Sequence, residues 1–351
     1  MPTTSFPVLV TGATGYVAAE IVKQLLERGY RVRGTTRDVA RAQSAGELTA
    51  LEGAEQRVEL VEADLLADHA FDIALEGCEY VMHVASPFTI SVPDPQRDLV
   101  DPAVNGTLSM LESADRSGQV KRMVLTSSFA AIAGTPADRP LSEEDWNTEA
   151  SLDRNPYAFS KTRAEMAAWD FMKATDGSFD LVTINPTTVF GPSLVQRVNQ
   201  SHEWFIGMTD GSQPAIVAVD APAVDVRDVA LAHVLAMEKP EASGRYLASA
   251  GNFTPRQIRE IAIRLGLDEK YRLPKMTLDS GVGVILSRAL IPFQPKGTRD
   301  YLRDHLGRHF QLDTSKIQRE LGVEFRDLDE TIADTWTDLD RRGLLGHPKH
   351  G

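Results

Sequence analysis

The sequence predicts an α/β protein built on a doubly wound parallel sheet, followed by a smaller second domain. Three observations predict this fold. Short apolar segments alternate with segments of helical periodicity from residue 7 to residue 185. A glycine-rich turn separates the first apolar segment from the first helical one. After residue 185 the alternation loosens and Gly and Pro become frequent, which indicates a second unit of different architecture.

The elements are predicted in chain order. The apolar run Pro7–Thr11 predicts the first strand, and Val17–Arg28 has the apolar spacing of a helix that ends at Gly29. The later strands are predicted at Arg31–Thr36, Val58–Glu62, Tyr80–Val84, Arg122–Thr126 and Asp180–Asn185. The helices between them are predicted at Ala40–Leu51, Phe71–Leu75, Pro102–Ser117 and Tyr157–Lys173. The looser part contributes helices at Asp225–Glu238, Thr254–Leu265 and Asp329–Asp340.

This pattern predicts two domains. The first covers residues 1–190, and a segment near residues 224–238 returns to it. The second covers mainly residues 191–351. Ligands of parallel sheets bind at the carboxyl ends of the strands, so the residues that follow each strand are the candidates for function.

Composition excludes several classes of function. The 351 residues include 37 Lys and Arg against 50 Asp and Glu, a net charge of −13, which disfavours binding to nucleic acid or anionic membranes. Cys78 is the only cysteine, so an internal disulfide and cysteine-rich metal sites are excluded. The eight histidines show no metal-ligand spacing, and we expect no metal. Without a visible targeting segment or a membrane-length apolar run, we expect a cytoplasmic protein.

The glycine-rich turn predicts a dinucleotide site. In Thr11-Gly12-Ala13-Thr14-Gly15-Tyr16-Val17-Ala18, Gly12 permits a tight turn and Gly15 lets the backbone approach a pyrophosphate. The helix that follows offers free N–H groups to the phosphate. The first domain is therefore predicted to be of Rossmann type and to bind a dinucleotide, although a purely structural turn is the alternative. The predicted binding residues are Gly12, Thr14, Gly15, Tyr16 and Val17.

The end of the second strand predicts NADP(H). Arg37 follows this strand without a preceding acid, and Arg41 lies four residues later, on the same side of a short helix. Two guanidinium groups suit a 2′-phosphate, which arginine binds bidentately. The competing feature is Asp38, near the position of a ribose-binding acid in NAD enzymes. We interpret Asp38 as a helix cap.

Three residues predict carbonyl chemistry. Tyr157 and Lys161 are four residues apart on a predicted helix and share a face. A lysine ammonium is expected to lower the tyrosine pKa toward the working range. Ser128 follows the fifth strand and can donate a hydrogen bond to a carbonyl oxygen. The alternative is an aromatic helix anchor beside a solvated lysine.

Several segments resemble one family. The turn Val10–Ala18 has the spacing GxxGxxA, and Tyr157-Ala158-Phe159-Ser160-Lys161 supplies a YxxxK motif. Together they resemble the extended branch of the short-chain dehydrogenase/reductases. Further segments are similar to the group of dihydroflavonol reductases, cinnamoyl-CoA reductases and yeast-type aldehyde/ketone (methylglyoxal) reductases. These segments are His83–Phe88, Leu125–Phe129, Ile184–Pro192, Asp225–Ala230, Leu312–Lys316 and Glu320–Gly322.

The resemblance implies roles for individual residues. It favours Ser128 over Ser127 as the catalytic serine, and leaves Ser127 in the cofactor pocket. In that group, basic residues at the positions of Arg37 and Arg41 grip the 2′-phosphate, and the acid at Asp64 holds the adenine amine, with a loop cap as the alternative. The remaining cofactor contacts are predicted at Leu65, Val84, Ala85, Ser86, Tyr157, Lys161, Pro186 and Val189.

The predicted activity is NADPH-dependent, reversible reduction of an aldehyde or ketone to an alcohol. Phe88 and Phe129 follow strand ends beside the catalytic groups and predict an apolar substrate pocket, with core packing as the alternative. Thr188 is expected to lie near the nicotinamide and to contact the substrate, and residues 191–351 are expected to form mainly a substrate-binding domain. A small carbonyl compound is the expected partner, and the protein is expected to be a monomer or a homodimer. The alternative function is an NAD-dependent nucleotide-sugar epimerase or dehydratase of the same fold.

Overall fold

A seven-stranded parallel sheet forms the larger part of the protein. The computed structural model describes residues 6–67, 69–86, 92–175, 177–293 and 296–346. The strands are β1 (Val8–Val10), β2 (Val32–Thr36), β3 (Val58–Glu62), β4 (Tyr80–His83), β5 (Arg122–Thr126), β6 (Asp180–Pro186), β7 (Thr188–Phe190), β8 (Ala215–Val217), β9 (Ala221–Asp225), β10 (Gly244–Ala248), β11 (Gly251–Phe253) and β12 (Met276–Leu278). The large sheet has the order β10-β6-β5-β4-β1-β2-β3, and every neighbouring pair is parallel. The predicted fold class is confirmed.

Helices flank this sheet and build most of the second unit. They are α1 (Tyr16–Glu27), α2 (Val39–Ala45), α3 (Ala54–Arg57), α4 (Asp72–Leu75), α5 (Asp101–Ser117), α6 (Pro156–Ala174), α7 (Glu203–Thr209), α8 (Val226–Glu238), α9 (Pro255–Arg264), α10 (Leu267–Lys270), α11 (Val282–Leu290), α12 (Lys296–His305) and α13 (Leu328–Arg341). Short 3₁₀ and π turns lie at Gln96–Val100, Phe129–Ala131, Gln200–His202, Ile291–Phe293 and Ile317–Leu321.

Several elements differ from the prediction. Strands β7 to β12 and helices α3, α7, α10, α11 and α12 were not predicted, and α2 is shorter than predicted. The helix expected at Ala40–Leu51 ends at Ala45, because Gly46 adopts a left-handed conformation with φ of 72° and terminates it. Strand β10 was not predicted at all, since Arg245 interrupts its short apolar run. The return of the chain to the large sheet therefore continues past the predicted segment 224–238 to residue 248.

The second unit has an aromatic core. It contains a three-stranded sheet in the order β11-β9-β7 and a two-stranded sheet of β12 and β8. Phe190 contacts Phe205 and Phe253 edge to face, with ring centroids 5.0 and 4.8 Å apart, and Phe205 contacts Trp336 in the same way at 5.0 Å. All four side chains are fully buried. Such burial contributes roughly 1.5–3 kcal/mol per side chain, so this cluster holds β7, β11, α7 and α13 together.

Candidate active site

The strand order reverses between β1 and β4, and the region at the carboxyl ends of these two strands is named the glycine-turn crevice. The hydroxyl of Thr11, directly after β1, accepts hydrogen bonds from the backbone N–H groups of Val84 at 3.0 Å and Ala85 at 2.9 Å. The same oxygen lies 3.0 Å from Nδ1 of His83. Burial lowers the pKa of His83 to about 4. Thr11 thus ties the ends of β1 and β4 together at the point where ligands of such sheets bind. Sequence analysis assigned no role to this threonine.

The glycine turn has the shape expected for a pyrophosphate cradle. Gly12 has φ of 61°, and a Cβ there would lie 3.2 Å from Cβ of Ala85. A Cβ on Gly15 would lie 3.1 Å from the carbonyl oxygen of Gly12. Gly15 caps α1 without a side-chain hydrogen bond, so side chains leave the first N–H groups of α1 free. These features, with Thr14 and Val17 on the same turn, fit a dinucleotide phosphate.

The side chain of Tyr16 points elsewhere. Its hydroxyl donates to the carbonyl oxygen of Gly191 at 2.8 Å, and its ring packs edge to face on His202 with centroids 5.1 Å apart. Tyr16 therefore links the glycine turn to the second unit through its side chain. Its backbone N–H, in the first turn of α1, remains the part predicted to meet a cofactor.

The end of β2 presents two positive charges to solvent. Asp38 accepts a hydrogen bond from the backbone N–H of Arg41 at 2.8 Å and caps α2, which confirms its interpretation as a cap. Arg37 and Arg41 are both exposed. Within the described part of the chain, no hydrogen-bond or salt-bridge partner is found for either guanidinium. This arrangement fits the 2′-phosphate of NADP.

The end of β3 shows a local role for its acid. Asp64 is exposed and accepts a hydrogen bond from the backbone N–H of Leu66 at 3.1 Å, as a loop cap does. The side chain of Leu65 lies against Gly106 on α5, where a Cβ would come within 2.5 Å of it. The roles of Asp64 and Leu65 at the adenine stay predictions.

Ser128, Tyr157 and Lys161 converge beside this crevice. The hydroxyls of Ser128 and Tyr157 share a hydrogen bond. Nζ of Lys161 donates to Oγ of Ser86 at 2.8 Å and lies 5.7 Å from the ring centroid of Tyr157. Ser86 follows β4, Ser128 follows β5, and α6 supplies the other two residues. Three separate elements therefore deliver one cluster, as the sequence predicts for the catalytic groups.

Burial sets the protonation states of this cluster. It raises the pKa of Tyr157 to about 12, and the hydrogen bond from Ser128 offsets only part of the rise. Burial also lowers the pKa of Lys161 to about 8. The expectation of a net lowering of the tyrosine pKa is therefore wrong. Desolvation outweighs the effect of the ammonium, whose Nζ is directed to Ser86.

The start of α6 depends on an asparagine in an unusual conformation. Asn155 has φ of 54°, and its side chain accepts a hydrogen bond from the N–H of Ala158 at 3.1 Å. We expect Asn155→Ala to lower the free energy of unfolding by about 2 kcal/mol, because both the cap and the tolerance of this conformation are lost. Glycine adopts this conformation readily, so Asn155→Gly should lower the free energy of unfolding by less than about 0.5 kcal/mol. Urea denaturation compares the two, and equal losses would contradict this explanation.

The hydroxyl of Ser127 is directed to a buried carboxylate. It donates to Oε2 of Glu165 at 2.5 Å, and the place of Ser127 in the cofactor pocket stays a prediction. The reason for this hydrogen bond is that Glu165 is a buried carboxylate and needs donors around it. Neither Glu165 nor its partner Asn185 was predicted to belong to the site. The one sequence feature that could have indicated Glu165 is its position four residues after Lys161, on the same face of α6.

The predicted substrate residues have different surroundings. Phe129 is only 9% exposed and contacts Phe310 edge to face at 5.1 Å, as the packing alternative expects, and its contact with a substrate stays a prediction. Phe88 lies outside the described residues. Thr188 is half-buried at the start of β7, near Pro186 at the end of β6 and the half-buried Val189. The roles of these last three residues stay predictions.

The described residues contain no group of three or more His, Cys, Asp or Glu side chains arranged to hold a metal ion. In the same part of the chain, no helix is both long enough and apolar enough to cross a bilayer.

A family comparison covers the whole large sheet. The model of the NAD dependent epimerase/dehydratase family matches residues 8–248, from the first residue of β1 to the last of β10. The chain belongs to this family. Membership agrees with the predicted extended branch of the short-chain dehydrogenase/reductases, and the family match ends where the chain leaves the large sheet for the last time.

Several proteins similar to this chain are reductases. A cinnamoyl-CoA reductase of Medicago truncatula is 41% identical over 273 residues, which cover 75% of this chain and 83% of that protein. A cinnamoyl-CoA reductase of Arabidopsis thaliana is 34% identical over 347 residues, covering 97% and 95%. The yeast methylglyoxal/isovaleraldehyde reductase, solved in complex with NADPH, superposes with a TM-score of 0.78 at 30% identity over 97% of this chain and all of that one. The predicted reductase group is confirmed.

Proposed function

We propose that this protein reduces the carbonyl group of a small aldehyde or ketone to an alcohol at the expense of NADPH. The observation that carries the proposal is the convergence of Ser128, Tyr157 and Lys161 beside the glycine-turn crevice. Two hydroxyl groups that share a hydrogen bond support the proposal, because one substrate oxygen can accept a hydrogen bond from the first and a proton from the second.

The protein is an NADP-dependent oxidoreductase. Its relatives are reductases, and one similar structure holds NADPH. The family is named for NAD, and the residues after β2 support NADP as the cofactor of this chain. Arg37 and Arg41 supply two exposed guanidinium groups there, and Asp38 is occupied as the cap of α2. This chemistry suits a phosphate better than a ribose 2′-hydroxyl.

The proposed steps assign one task to each catalytic side chain. Ser128 donates a hydrogen bond to the carbonyl oxygen of the substrate and stabilises the negative charge that develops on it. NADPH, when bound, supplies the hydride that the carbonyl carbon receives. Tyr157, which is protonated at neutral pH, transfers its proton to the same oxygen. The ammonium of Lys161 stabilises the phenolate that remains and is held in place by Ser86.

The pKa of Lys161 predicts a pH limit. Because burial lowers this pKa to about 8, the ammonium prevails below pH 8 and is lost above it. We expect kcat/KM for NADPH, which reports the free enzyme, to fall about tenfold per pH unit above that value. Burial also lowers the pKa of a second lysine, Lys316, which lies outside the crevice. Lys316→Met should therefore leave the fall of kcat/KM above pH 8 unchanged. A flat profile to pH 9.5 would contradict the role of Lys161.

The first test is turnover. NADPH oxidation is followed by absorbance with a panel of aromatic and aliphatic aldehydes and ketones, with hydroxycinnamoyl-CoA thioesters as a separate arm and NADH in parallel. Reduction of aldehydes or ketones with NADPH, and little with NADH, is the expected result. If no carbonyl compound reacts and NAD copurifies with the protein, the nucleotide-sugar alternative replaces the proposal.

A further inference from the structure

A buried carboxylate lies behind the catalytic serine. Glu165 is on α6, one turn after Lys161, and only 1% of its surface is exposed. Its two oxygens are surrounded by donors from the end of β5, from β6, from β10 and from α6 itself. The distances are 2.5 Å to Oγ of Ser127, 2.7 Å to Nδ2 of Asn185, 3.2 Å to Oγ1 of Thr183, 3.3 Å to Nε1 of Trp169 and 2.6 Å to Nε of Arg245.

The charge of Glu165 is balanced by Arg245 on β10. The guanidinium uses Nε and Nη2 for the carboxylate, at 2.6 and 3.4 Å. Its Nη1 donates to the carbonyl oxygens of Glu143 and Asp145, each at 2.6 Å. These two residues belong to the loop that connects the catalytic serine to α6. The ion pair therefore joins α6, β10 and that loop in one buried network.

The same network reaches the backbone of Ser128. The side-chain amide of Asn185 donates to Glu165 at 2.7 Å and to the carbonyl oxygen of Ser128 at 3.2 Å. Ser127 is attached directly through its hydroxyl. Both residues at the end of β5 are thus connected to a carboxylate on the helix that carries Tyr157.

Stability alone does not explain a buried ion pair at this place. Replacing such pairs by apolar residues is often neutral or stabilising, because two charges must be desolvated to form them. What a fully hydrogen-bonded pair fixes is the relative position of the elements that it joins. Here those elements are the end of β5, which carries Ser128, and α6, which carries Tyr157 and Lys161.

We propose that Glu165 is a positioning residue for catalysis: paired with Arg245, it holds the end of β5 at the separation from α6 that lets Ser128 and Tyr157 meet the same substrate oxygen. The expected loss of kcat rests on the proposed reduction. The expected change in the position of Ser128 relative to α6 rests on the hydrogen-bond network alone. Glu165 touches neither the substrate nor the cofactor in this assignment.

The main test is Glu165→Gln. The amide keeps the volume of the side chain but turns an NH₂ group toward donors, so the network must rearrange. We expect kcat to fall about 10- to 100-fold, because displacing a catalytic group by about 1 Å has an effect of this size. The Kd for NADPH should stay within twofold of the wild-type value. The primary isotope effect on kcat, measured with NADPH deuterated at the transferred position, should rise because the chemical step becomes slower than the other steps.

A matched control separates positioning from stability. Asp228 on α8 is a fully buried carboxylate paired with Arg326, away from the catalytic groups. Asp228→Asn should lower the melting temperature about as much as Glu165→Gln, with kcat per folded enzyme and the isotope effect unchanged. Equal kinetic losses in both variants would overturn the proposal.

A second variant and a structural measurement cover the case of poor folding. Asn185→Ala breaks the link to Ser128 without leaving a buried charge unpaired, and we expect kcat to fall about tenfold. Crystal structures of the ligand-free variants should show the hydrogen bond between Ser128 and Tyr157 lost or lengthened in Glu165→Gln and intact in Asp228→Asn. An intact bond in Glu165→Gln, or kcat within twofold of wild type in Asn185→Ala, would overturn the proposal. If the wild type reduces no carbonyl compound, the proposed function fails, and the crystal structures still decide the positioning role.

Discussion

Tyr157→Phe is expected to lower kcat for carbonyl reduction by about 10²- to 10⁴-fold, the usual contribution of a general acid. The substitution removes only the hydroxyl that shares a hydrogen bond with Ser128. The phenyl ring keeps its place beside Lys161, whose Nζ lies 5.7 Å from the ring centroid. Steady-state turnover with NADPH measures the loss, and quenching of protein fluorescence by NADPH measures the Kd, which should change less than about twofold because the lysine and the glycine turn remain.

The control for this prediction is another tyrosine that loses a hydroxyl contact. Tyr30 is 4% exposed and donates to Glu238 at 3.1 Å, at the junction of α1 and α8. Tyr30→Phe should lower the free energy of unfolding by about 1 kcal/mol and leave kcat unchanged. If Tyr157→Phe retains kcat within threefold of wild type, another group supplies the proton and the assignment of Tyr157 is wrong.

The features that were predictable from the sequence are those set by neighbouring residues in the chain. The glycine turn is one, because Gly12 must adopt a positive φ of 61° and the requirement is visible in the motif itself. The cap at Asp38 is another, since a cap and the N–H group that it accepts from are three residues apart. The spacing of Tyr157 and Lys161 on one helix belongs to the same class.

What could not be predicted depends on tertiary packing. The pKa of Tyr157 rises because residues distant in sequence bury it, and no local pattern reports that burial. Arg245 made β10 look unlike a buried strand, although its charge is paired with Glu165 in the folded protein. The hydrogen bond between Ser127 and Glu165 could not be predicted either, because it forms only when α6 packs against the sheet.

The second large effect is expected at the end of β2, where Arg37 and Arg41 are proposed to bind the 2′-phosphate. Replacing both by Ala should raise KM for NADPH by about 100-fold or more, because each charge-assisted hydrogen bond contributes roughly 1.5–3 kcal/mol. KM for NADH should change less than about threefold, since NADH has no group for these arginines to bind. The preference for NADPH should therefore disappear, while kcat at saturating NADPH stays near the wild-type value.

An arginine at the opposite end of the same strand provides the control. Arg31 is exposed and precedes β2, whereas Arg37 follows it, so Arg31→Ala removes an equal charge far from the carboxyl edge of the sheet. We expect Arg31→Ala to leave KM for both cofactors within twofold of wild type. Raising the ionic strength should weaken NADPH binding in the wild type and in Arg31→Ala, and much less in the double variant, because screening acts on the phosphate contact that the double variant lacks. If KM rises equally for NADH and NADPH in the double variant, the two arginines support the fold of the turn and do not bind the 2′-phosphate.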